Sequence, residues 1–199
     1  MIFIINIKLP KMKIKGFEIS VKQILFLAIY YGFAQYLPDS YSFVWGGVSN
    51  RIRVFCVKRI FKKCGHIRTI NRRVNFGSGR NIEMGDESGI GARTILPSNT
   101  IIGNHVIISR DCLIWPQNHR FDRTDIPLND QGMLPPKQTI IEDDVWIGLR
   151  TILTPGRHVA KGTIVGMGSV LSKDFPPYSI VGGAPAKLIR NRLADNENK

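Results

Sequence analysis

An aliphatic residue returns at every sixth position through the middle of the chain. The series starts at Met84 and, after an interruption, restarts at Ile141. Its members are Met84, Ile90, Leu96, Ile102, Ile108, Ile114, Ile141, Ile147, Leu153, Val159, Val165 and Leu171. Four residues after most of them comes a small or β-branched side chain, for example Thr94, Thr100 or Ser169. Neither a helical stripe, with its spacing of three and four, nor an alternating strand has a period of six.

A weaker continuation of this frame runs backward through Ile70, Phe76 and Ile82. In this interpretation the three residues occupy the second position of the repeat, four residues after the aliphatic one. Later coils have small or β-branched side chains at that position. We therefore expect the repeat to begin near Ile67 in the same frame.

Six residues are enough for one short strand and a turn, and three such units can close a triangular coil. Stacked coils then pair in parallel at about 4.8 Å per layer, with the aliphatic residue and its partner pointing inward. No single coil can bury its own apolar face, so stability depends on its neighbours. The predicted fold class is all-β, a parallel β-helix with a short helical N-terminal appendage and a protruding loop. We expect the appendage at residues 1–64, the β-helix at 65–175 and a C-terminal tail at 176–199.

The frame is interrupted between Ile114 and Ile141, a distance of one and a half coils. We expect residues 115–139 to leave the β-helix as a loop, because the segment carries His119, several acids and a Pro-Pro pair. Long loops on a regular scaffold are where function concentrates. The other three histidines, His66, His105 and His158, lie in or beside the repeat and are expected to be structural or to face solvent.

The N-terminal third predicts two helices. Residues 17–37 read as an apolar helix that ends at Leu37-Pro38. Residues 48–63 form a basic amphipathic stretch. Its apolar members include Ile52, Phe55, Cys56 and Ile60, and its basic members are Arg51, Arg53, Lys58, Arg59, Lys62 and Lys63. Two roles stay open for these segments, a cap over the first coil or a contact with an anionic membrane surface.

The formal net charge of +13 favours polyanionic partners. No nucleic-acid-binding motif is present, so we expect no nucleic-acid partner. The longest apolar run, residues 24–34, is shorter than the roughly 20 residues of a membrane span. Three cysteines without metal-ligand spacing indicate reduced thiols. We expect a cytoplasmic protein without a secretory signal, with peripheral contact to the inner membrane face left open; Met12 could begin the protein as well as Met1.

Several motifs beside the repeat carry a family resemblance. They are Asn118-His119 at the root of the loop, Val145-Trp146-Ile147-Gly148, the run from Gly166 to Pro176, and Gly182-Gly183-Ala184-Pro185-Ala186-Lys187-Leu188-Ile189-Arg190. Together with the repeat, they resemble the hexapeptide-repeat acyltransferases, in particular sugar O-acetyltransferases of capsule or exopolysaccharide synthesis. The resemblance covers roughly residues 67–190, and it implies a left-handed parallel β-helix.

The resemblance also implies a site. His119 would be the catalytic base and Trp146 would pack against the histidine or the acetyl group, although a plain core tryptophan is an open alternative. Acetyl-coenzyme A would be the co-substrate, without a metal, and its expected contacts are Gly148, Leu149, Gly166, Met167, Ser172, Lys173, Lys187 and Arg190, the last two toward phosphate. Backbone N–H groups around residues 146–149 would hold the oxyanion, and Asp122 or Asp125 could orient the imidazole.

The expected reaction is direct acetyl transfer to a hydroxyl of a sugar or lipid-linked saccharide, in a groove between the subunits of a homotrimer. Two alternatives stay open: N-acetylation of a nucleotide-linked amino sugar, and a non-catalytic β-helix scaffold. A zinc site of the carbonic-anhydrase kind would need three converging histidines, and no closely spaced pair of histidines exists to supply two of them.

Overall fold

A computed structural model describes residues 11–14 and 17–194. The segment before residue 11, which bears on the choice between Met1 and Met12, lies outside the described residues. The N-terminal elements are an antiparallel pair, β1 (Lys11–Ile14) and β2 (Phe17–Ser20), then α1 (Val21–Gly32), a 3-10 turn (Ala34–Tyr36) and α2 (Gly46–Ile60). The predicted apolar helix therefore begins four residues later than expected, because residues 17–20 pair as a strand.

Short strands make up the rest of the chain. From β3 to β17 they are Lys63–Cys64, Thr69–Ile70, Glu83–Met84, Gly89–Ile90, Ile101–Ile102, Ile107–Ile108, Leu113–Ile114, Ile140–Ile141, Trp146–Ile147, Ile152–Leu153, His158–Val159, Ile164–Val165, Val170–Leu171, Ser179–Gly183 and Ala186–Asn191. They form three sheets, which we call face I (β3, β5, β7, β10, β13), face II (β4, β6, β8, β11, β14, β16, β17) and face III (β9, β12, β15). The chain visits faces I, II and III in turn, so successive coils stack into a three-sided parallel β-helix.

The pairing follows the period of six. Each aliphatic residue of the series pairs with its equivalent one coil away, as Ile141 does with both Ile102 and Val159. These side chains are buried, as are the small residues two positions before them. Several of the small residues also donate a hydroxyl hydrogen bond to a turn carbonyl, for example Ser88 Oγ to Gly103 O at 2.7 Å. Burial of each aliphatic side chain stabilises the stack by roughly 1.5–3 kcal/mol.

The backward extension of the frame was wrong by two residues. Ile70 pairs with Ile90, and the bridge between Asn75 and Ile95 aligns Phe76 with Leu96, so both lie at the first position and not at the second. The reason is an insertion of two residues between the first and second coils, since Cys64 pairs with Met84 twenty positions on, whereas Met84 pairs with Ile102 eighteen positions on. Ile82 alone keeps the expected second position and is buried.

The β-helix extends beyond the predicted bounds of 65 and 175. Its first strand is β3, and β16 continues face II in parallel with β14. Strand β17 then folds back antiparallel onto β16. Residues 176–194 thus close the C-terminal end of face II. Between β9 and β10 the chain leaves the stack as the predicted loop, residues 115–139.

Helices α1 and α2 lie side by side across the N-terminal end of the stack, and we call residues 21–60 the cap. Tyr30, Val57 and Ile60 are buried in the same cluster as Phe76 of the first coil. The Tyr30 hydroxyl donates to the Val74 carbonyl at 3.0 Å. The structure therefore supports the capping role that the sequence left open. Within the described residues, no helix is long and apolar enough to cross a bilayer.

Arg53, one of the basic residues of the predicted amphipathic stretch, does not face solvent. Its side chain is completely buried. It donates hydrogen bonds to the carbonyls of Ile70 (2.7 Å), Pro38 (3.1 Å), Leu37 (3.2 Å) and Ala34 (3.4 Å), and to Ser40 Oγ (2.9 Å). A guanidinium group is suited to this place because its fixed fork of donors can satisfy several carbonyls at once. Arg53 thereby ties the connection between α1 and α2 to the first coil.

Candidate active site

The loop is a hairpin at its root. Backbone hydrogen bonds join Lys137 N to Pro116 O (2.8 Å), Leu134 N to Asn118 O (2.8 Å) and Arg120 N to Gly132 O (3.0 Å), and an isolated antiparallel bridge joins His119 to Met133. These bonds fix the backbone of His119 on the hairpin close to where it leaves the coil. A cavity of about 300 Å³ lies between this root and the coil beside it.

The imidazole of His119 is exposed and makes no hydrogen bond or ion pair with another described residue. Asp125, one of the two acids expected to orient it, forms an ion pair with Arg123, with Arg123 Nε 2.9 Å from Asp125 Oδ1. Asp122 is exposed and has no such bond to His119 within the described chain. The described part of the chain therefore presents the imidazole without an orienting carboxylate.

Two edges of the prism matter for the rest of the site. The edge between faces II and III is a column made by Gly91, Ser109, Gly148 and Gly166, and we call it the glycine corner. The edge between faces III and I is a column made by Trp115, Thr154 and Ser172, and we call it the loop corner because the loop leaves there. Both columns follow from the parallel register of the coils.

The glycine corner needs glycine at position 148 because the next coil is too close for a side chain. A Cβ atom there would lie 2.6 Å from the backbone nitrogen of Met167 and 2.7 Å from the Val165 carbonyl oxygen. The Gly148 N–H instead donates to Val165 O at 2.8 Å, and the Gly166 N–H donates to Val181 O at 2.8 Å. The corner backbone of successive coils therefore stacks directly.

The neighbouring N–H groups of Leu149 and Met167 behave differently. Neither donates a hydrogen bond to any other described residue, although Leu149 O accepts one from the Gly168 N–H at 2.8 Å. Backbone donors are almost always paired unless they face solvent or a ligand. The sequence predicts oxyanion donors among the backbone N–H groups of residues 146–149. Those of Trp146 and Gly148 already donate to Thr163 O and Val165 O and are not available. Of that set, Leu149 keeps an open N–H group.

Trp146 lies on the outside of face II, between Ile107 and Ile164 of the adjacent coils, with 49% of its surface exposed. The alternative of a buried structural tryptophan does not hold. His119 lies on the hairpin that leaves from the loop corner, whereas Trp146 lies on face II.

The remaining predicted residues divide between the same regions. Ser172 and Lys173 are exposed at the loop corner, where Lys173 Nζ lies 5.4 Å from the centroid of the Phe175 ring. Lys187 and Arg190 are exposed on β17, at the C-terminal end of face II. The fold thus brings His119, Ser172 and Lys173 to one edge and Gly148, Leu149, Gly166 and Met167 to another.

Sequence reasoning missed a groove of about 780 Å³ over face II. It runs beneath the connection between α1 and α2, and its charged and polar lining includes Asp39, Tyr41, Arg68 and Arg110. Leu149 lines it as well, so the groove opens onto the glycine corner. No motif could have revealed these residues, because they come from separate elements that only the coil stacking brings together.

The Asp39 carboxylate in this groove is held ionised. Partial burial pushes its pKa upward, but this is outweighed by hydrogen bonds from the Tyr41 N–H (3.0 Å) and the Asn71 amide (3.2 Å). The positive charges of Arg110 and Arg53 add to the lowering of the pKa. Among the described residues, no cluster of three metal-ligating side chains is found in this groove or elsewhere.

Known proteins resemble this chain in both sequence and structure. A chloramphenicol acetyltransferase of Agrobacterium fabrum is 37% identical over 108 residues, which are 54% of this chain and 49% of that protein. A galactoside O-acetyltransferase of Lactococcus lactis is 30% identical over 129 residues, 63% of this chain and 59% of that protein. The chain thus spans about half of the length of these curated relatives. No family model matches it.

Solved structures match over more of the chain. A galactoside acetyltransferase in complex with coenzyme A superposes with a TM-score of 0.71 at 23% identity, covering 88% of this chain and 83% of that one. A hexapeptide-repeat-containing acetyltransferase of Vibrio cholerae complexed with acetyl-coenzyme A gives 0.61 at 25% identity, covering 84% and 83%.

The predicted fold class is confirmed: the coils form the left-handed parallel β-helix of hexapeptide repeats, with N-terminal helices. In sequence and in fold, the chain is thus similar to hexapeptide-repeat acetyltransferases, among them proteins named for chloramphenicol and galactoside acetylation.

Proposed function

We propose that the chain is an acetyl-CoA-dependent O-acetyltransferase that acts on a sugar hydroxyl, and that it works as a homotrimer in the synthesis of a surface polysaccharide. One observation carries this proposal: the expected site residues divide between two edges of one prism. Edges of one prism cannot face each other, whereas the loop corner of one protomer can face the glycine corner of the next. Repeated around a ring, this head-to-tail contact closes a symmetric assembly with one site per interface.

The glycine corner is suited to holding the donor. The open N–H groups of Leu149 and Met167 lie on adjacent coils, where they can donate to the amide carbonyls of a pantetheine arm. Lys173, Lys187 and Arg190 supply exposed cations for its phosphates. When bound there, acetyl-CoA supplies the acetyl group as an activated thioester.

The groove over face II is the proposed acceptor pocket. Its lining offers the ionised carboxylate of Asp39, the side chain of Glu87, two guanidinium groups (Arg68 and Arg110) and the exposed Tyr41, a polar set that matches the hydroxyl groups of a saccharide. Because Leu149 lines the groove and directly follows Gly148 of the glycine corner, an acceptor in the groove would lie next to the donor channel.

In the assembled site, His119 of one protomer would accept the proton of the acceptor hydroxyl. Imidazole is suited to this role because it titrates near neutral pH. The Leu149 N–H of the neighbouring protomer would stabilise negative charge that develops on the carbonyl oxygen. Trp146 would offer an aromatic surface on that neighbour.

A second candidate is a non-saccharide small molecule with a hydroxyl group. It is favoured by the identity of 37% to a protein named chloramphenicol acetyltransferase. The same glycine corner and the same base would serve this reaction. The groove would then hold a different small molecule in place of a saccharide.

The test is release of coenzyme A thiol from acetyl-CoA, measured with simple glycosides, amino sugars and chloramphenicol as acceptors. We expect hydroxyl acceptors to accelerate thiol release, and His119→Ala to lower kcat by about 10²–10⁴-fold while acetyl-CoA binding is retained. The matched control is His158→Ala, which removes an exposed histidine paired with Glu142 and should leave kcat within about twofold. Unchanged turnover in His119→Ala, or acceleration by amines alone, would contradict the proposal.

A further inference from the structure

The outer side of α1 is an exposed apolar stripe. Leu25 (55% exposed) and Ile29 lie one helical turn apart on α1, and the exposed Phe33 (57%) and Tyr36 (60%) follow at the end of the helix and in the 3-10 turn. Soluble surfaces rarely expose aligned large apolar residues unless they bind something.

The connection between α1 and α2 extends this stripe. Tyr41, Phe43, Val44 and Trp45 are all exposed, and the Phe43 side chain is fully so at 102%. Val48, in the first turn of α2, is also exposed. Three consecutive apolar or aromatic side chains of the connection, Phe43 to Trp45, and the nearby Tyr41 therefore project into solvent.

The outer side of α2 joins the stripe to positive charge. The Arg59 guanidinium carbon lies 3.5 Å from the centroid of the exposed Phe55 ring and 5.1 Å from that of Phe26 on α1. Arg51 and Lys58 are exposed on the same side of α2. Because Arg59 lies over the Phe26 ring, this side of α2 adjoins α1. We call this combined surface of α1, the connection and α2 the cap face.

Charge is divided unevenly along the chain. Residues 1–82 hold 15 of the 28 lysines and arginines and only two of the 15 acids, whereas residues 83–199 hold 13 of each. The entire net charge of +13 therefore belongs to the part that contains the cap. Between residues 19 and 82 the single acid is Asp39, and its carboxylate is engaged at the groove.

We propose that the cap face docks onto an anionic lipid bilayer. Aromatic and aliphatic side chains prefer the boundary between headgroups and acyl chains, and nearby lysines and arginines are attracted to anionic headgroups by about 1 kcal/mol each. A second copy of the chain would instead oppose two positive surfaces, and a nucleic acid would leave the aliphatic stripe in water. Charge complementarity combined with the apolar stripe selects the bilayer.

Docking would also place the groove at the membrane. Tyr41 lines the groove and stands two residues from Phe43 of the cap face. A saccharide carried on a lipid could therefore enter the groove while its lipid stays in the bilayer. This step, unlike the docking itself, rests on the proposed function.

Co-flotation of the full chain with lipid vesicles tests the docking. We expect the chain to float with vesicles containing phosphatidylglycerol and to bind neutral phosphatidylcholine vesicles at least about tenfold more weakly, with binding reduced by added salt. Arg51→Gln with Lys58→Gln should weaken binding about 25-fold, and Phe43→Ser with Trp45→Ser about tenfold or more. Lys161→Gln with Leu193→Ser is the matched control, because it removes one exposed cation and one exposed apolar side chain outside the cap.

Failure to float, or loss of binding in the control to the same degree as in the cap variants, would overturn the proposal. A drop in molecular mass by light scattering for the Phe43/Trp45 variant, without vesicle binding by the parent chain, would assign the cap face to a second copy instead. Thiol release with a water-soluble acceptor, measured without vesicles, should be unchanged in the cap variants. A failed docking proposal is thereby distinguished from a failed proposal of acetyl transfer.

Discussion

The β-helix and the cap are stabilised in different ways. In the β-helix, each coil repeats the same inward pattern, so Ile102, Ile141 and Val159 make equivalent contacts one layer apart. In the cap, single residues make contacts that occur once, as Arg53 does with five acceptors. A periodic structure distributes its stability over many similar positions, whereas the cap depends on a few. The two regions should therefore respond differently to substitution.

The largest effect is expected from a charge inside the stack. Ile102→Asp places a carboxylate among buried aliphatic side chains without a partner, and we expect it to lower the free energy of unfolding by more than about 4 kcal/mol. Denaturant unfolding followed by circular dichroism measures this. Ile107→Asp is the control, because Ile107 belongs to the same coil but points outward, and its cost should stay below about 1 kcal/mol. Equal costs would mean that inward and outward positions are not distinguished as described.

A smaller and local effect is expected in the cap. Arg53→Met keeps the length of the side chain but leaves buried carbonyl groups without donors, and we expect a loss of about 2–4 kcal/mol. Hydrogen exchange should show the amides of α1 and α2 opening before those of the central coils. Arg51→Met, two residues away on the exposed side of α2, should cost less than about 0.5 kcal/mol. Uniform loss of protection along the whole chain would contradict a separable cap.

The smallest effect concerns Asp39, at the junction of the two regions. Its pKa is lowered in the folded chain, so its ionised form stabilises the fold above the unfolded pKa of about 3.9, and this contribution is lost as the pH falls through the folded pKa. Asp39→Asn should therefore be less stable than the parent chain at neutral pH, with the difference shrinking below about pH 4. Unfolding curves from pH 7 to pH 2.5 measure it. A difference that grows on acidification would have the wrong sign.

The same contrast explains what could be predicted from the sequence. The period of six was sufficient to predict the β-helix, because the inward positions recur in every coil. The pattern remains recognisable when one residue departs from it or a loop interrupts it. The frame failed at Ile70 and Phe76, where an insertion of two residues moved the register and too few coils preceded it to reveal the shift. The loop could be predicted because it interrupts a regular pattern, between the strands that end at Ile114 and begin at Ile140.

Unique contacts could not be predicted. Arg53 looked like any other cation of α2, and only its burial under the connection shows its role. Asp39, Arg68 and Arg110 line one groove although they come from the connection, the first coil and the third coil. Likewise, sequence order does not reveal that Leu149 and His119 stand at different edges of the prism. Such relations depend on which residues the stacking brings together.

The central claim is that the loop corner of one protomer and the glycine corner of another form one site. It can be tested by mixing two inactive variants, His119→Ala and the double variant Leu149→Glu with Met167→Glu, after joint refolding or co-expression. Each variant alone should release little thiol from acetyl-CoA. Random mixing should restore about a quarter of the parental activity, because that fraction of interfaces combines an intact histidine with an intact glycine corner. Mixtures no more active than their separate components, or a fully active monomer by light scattering, would contradict the account.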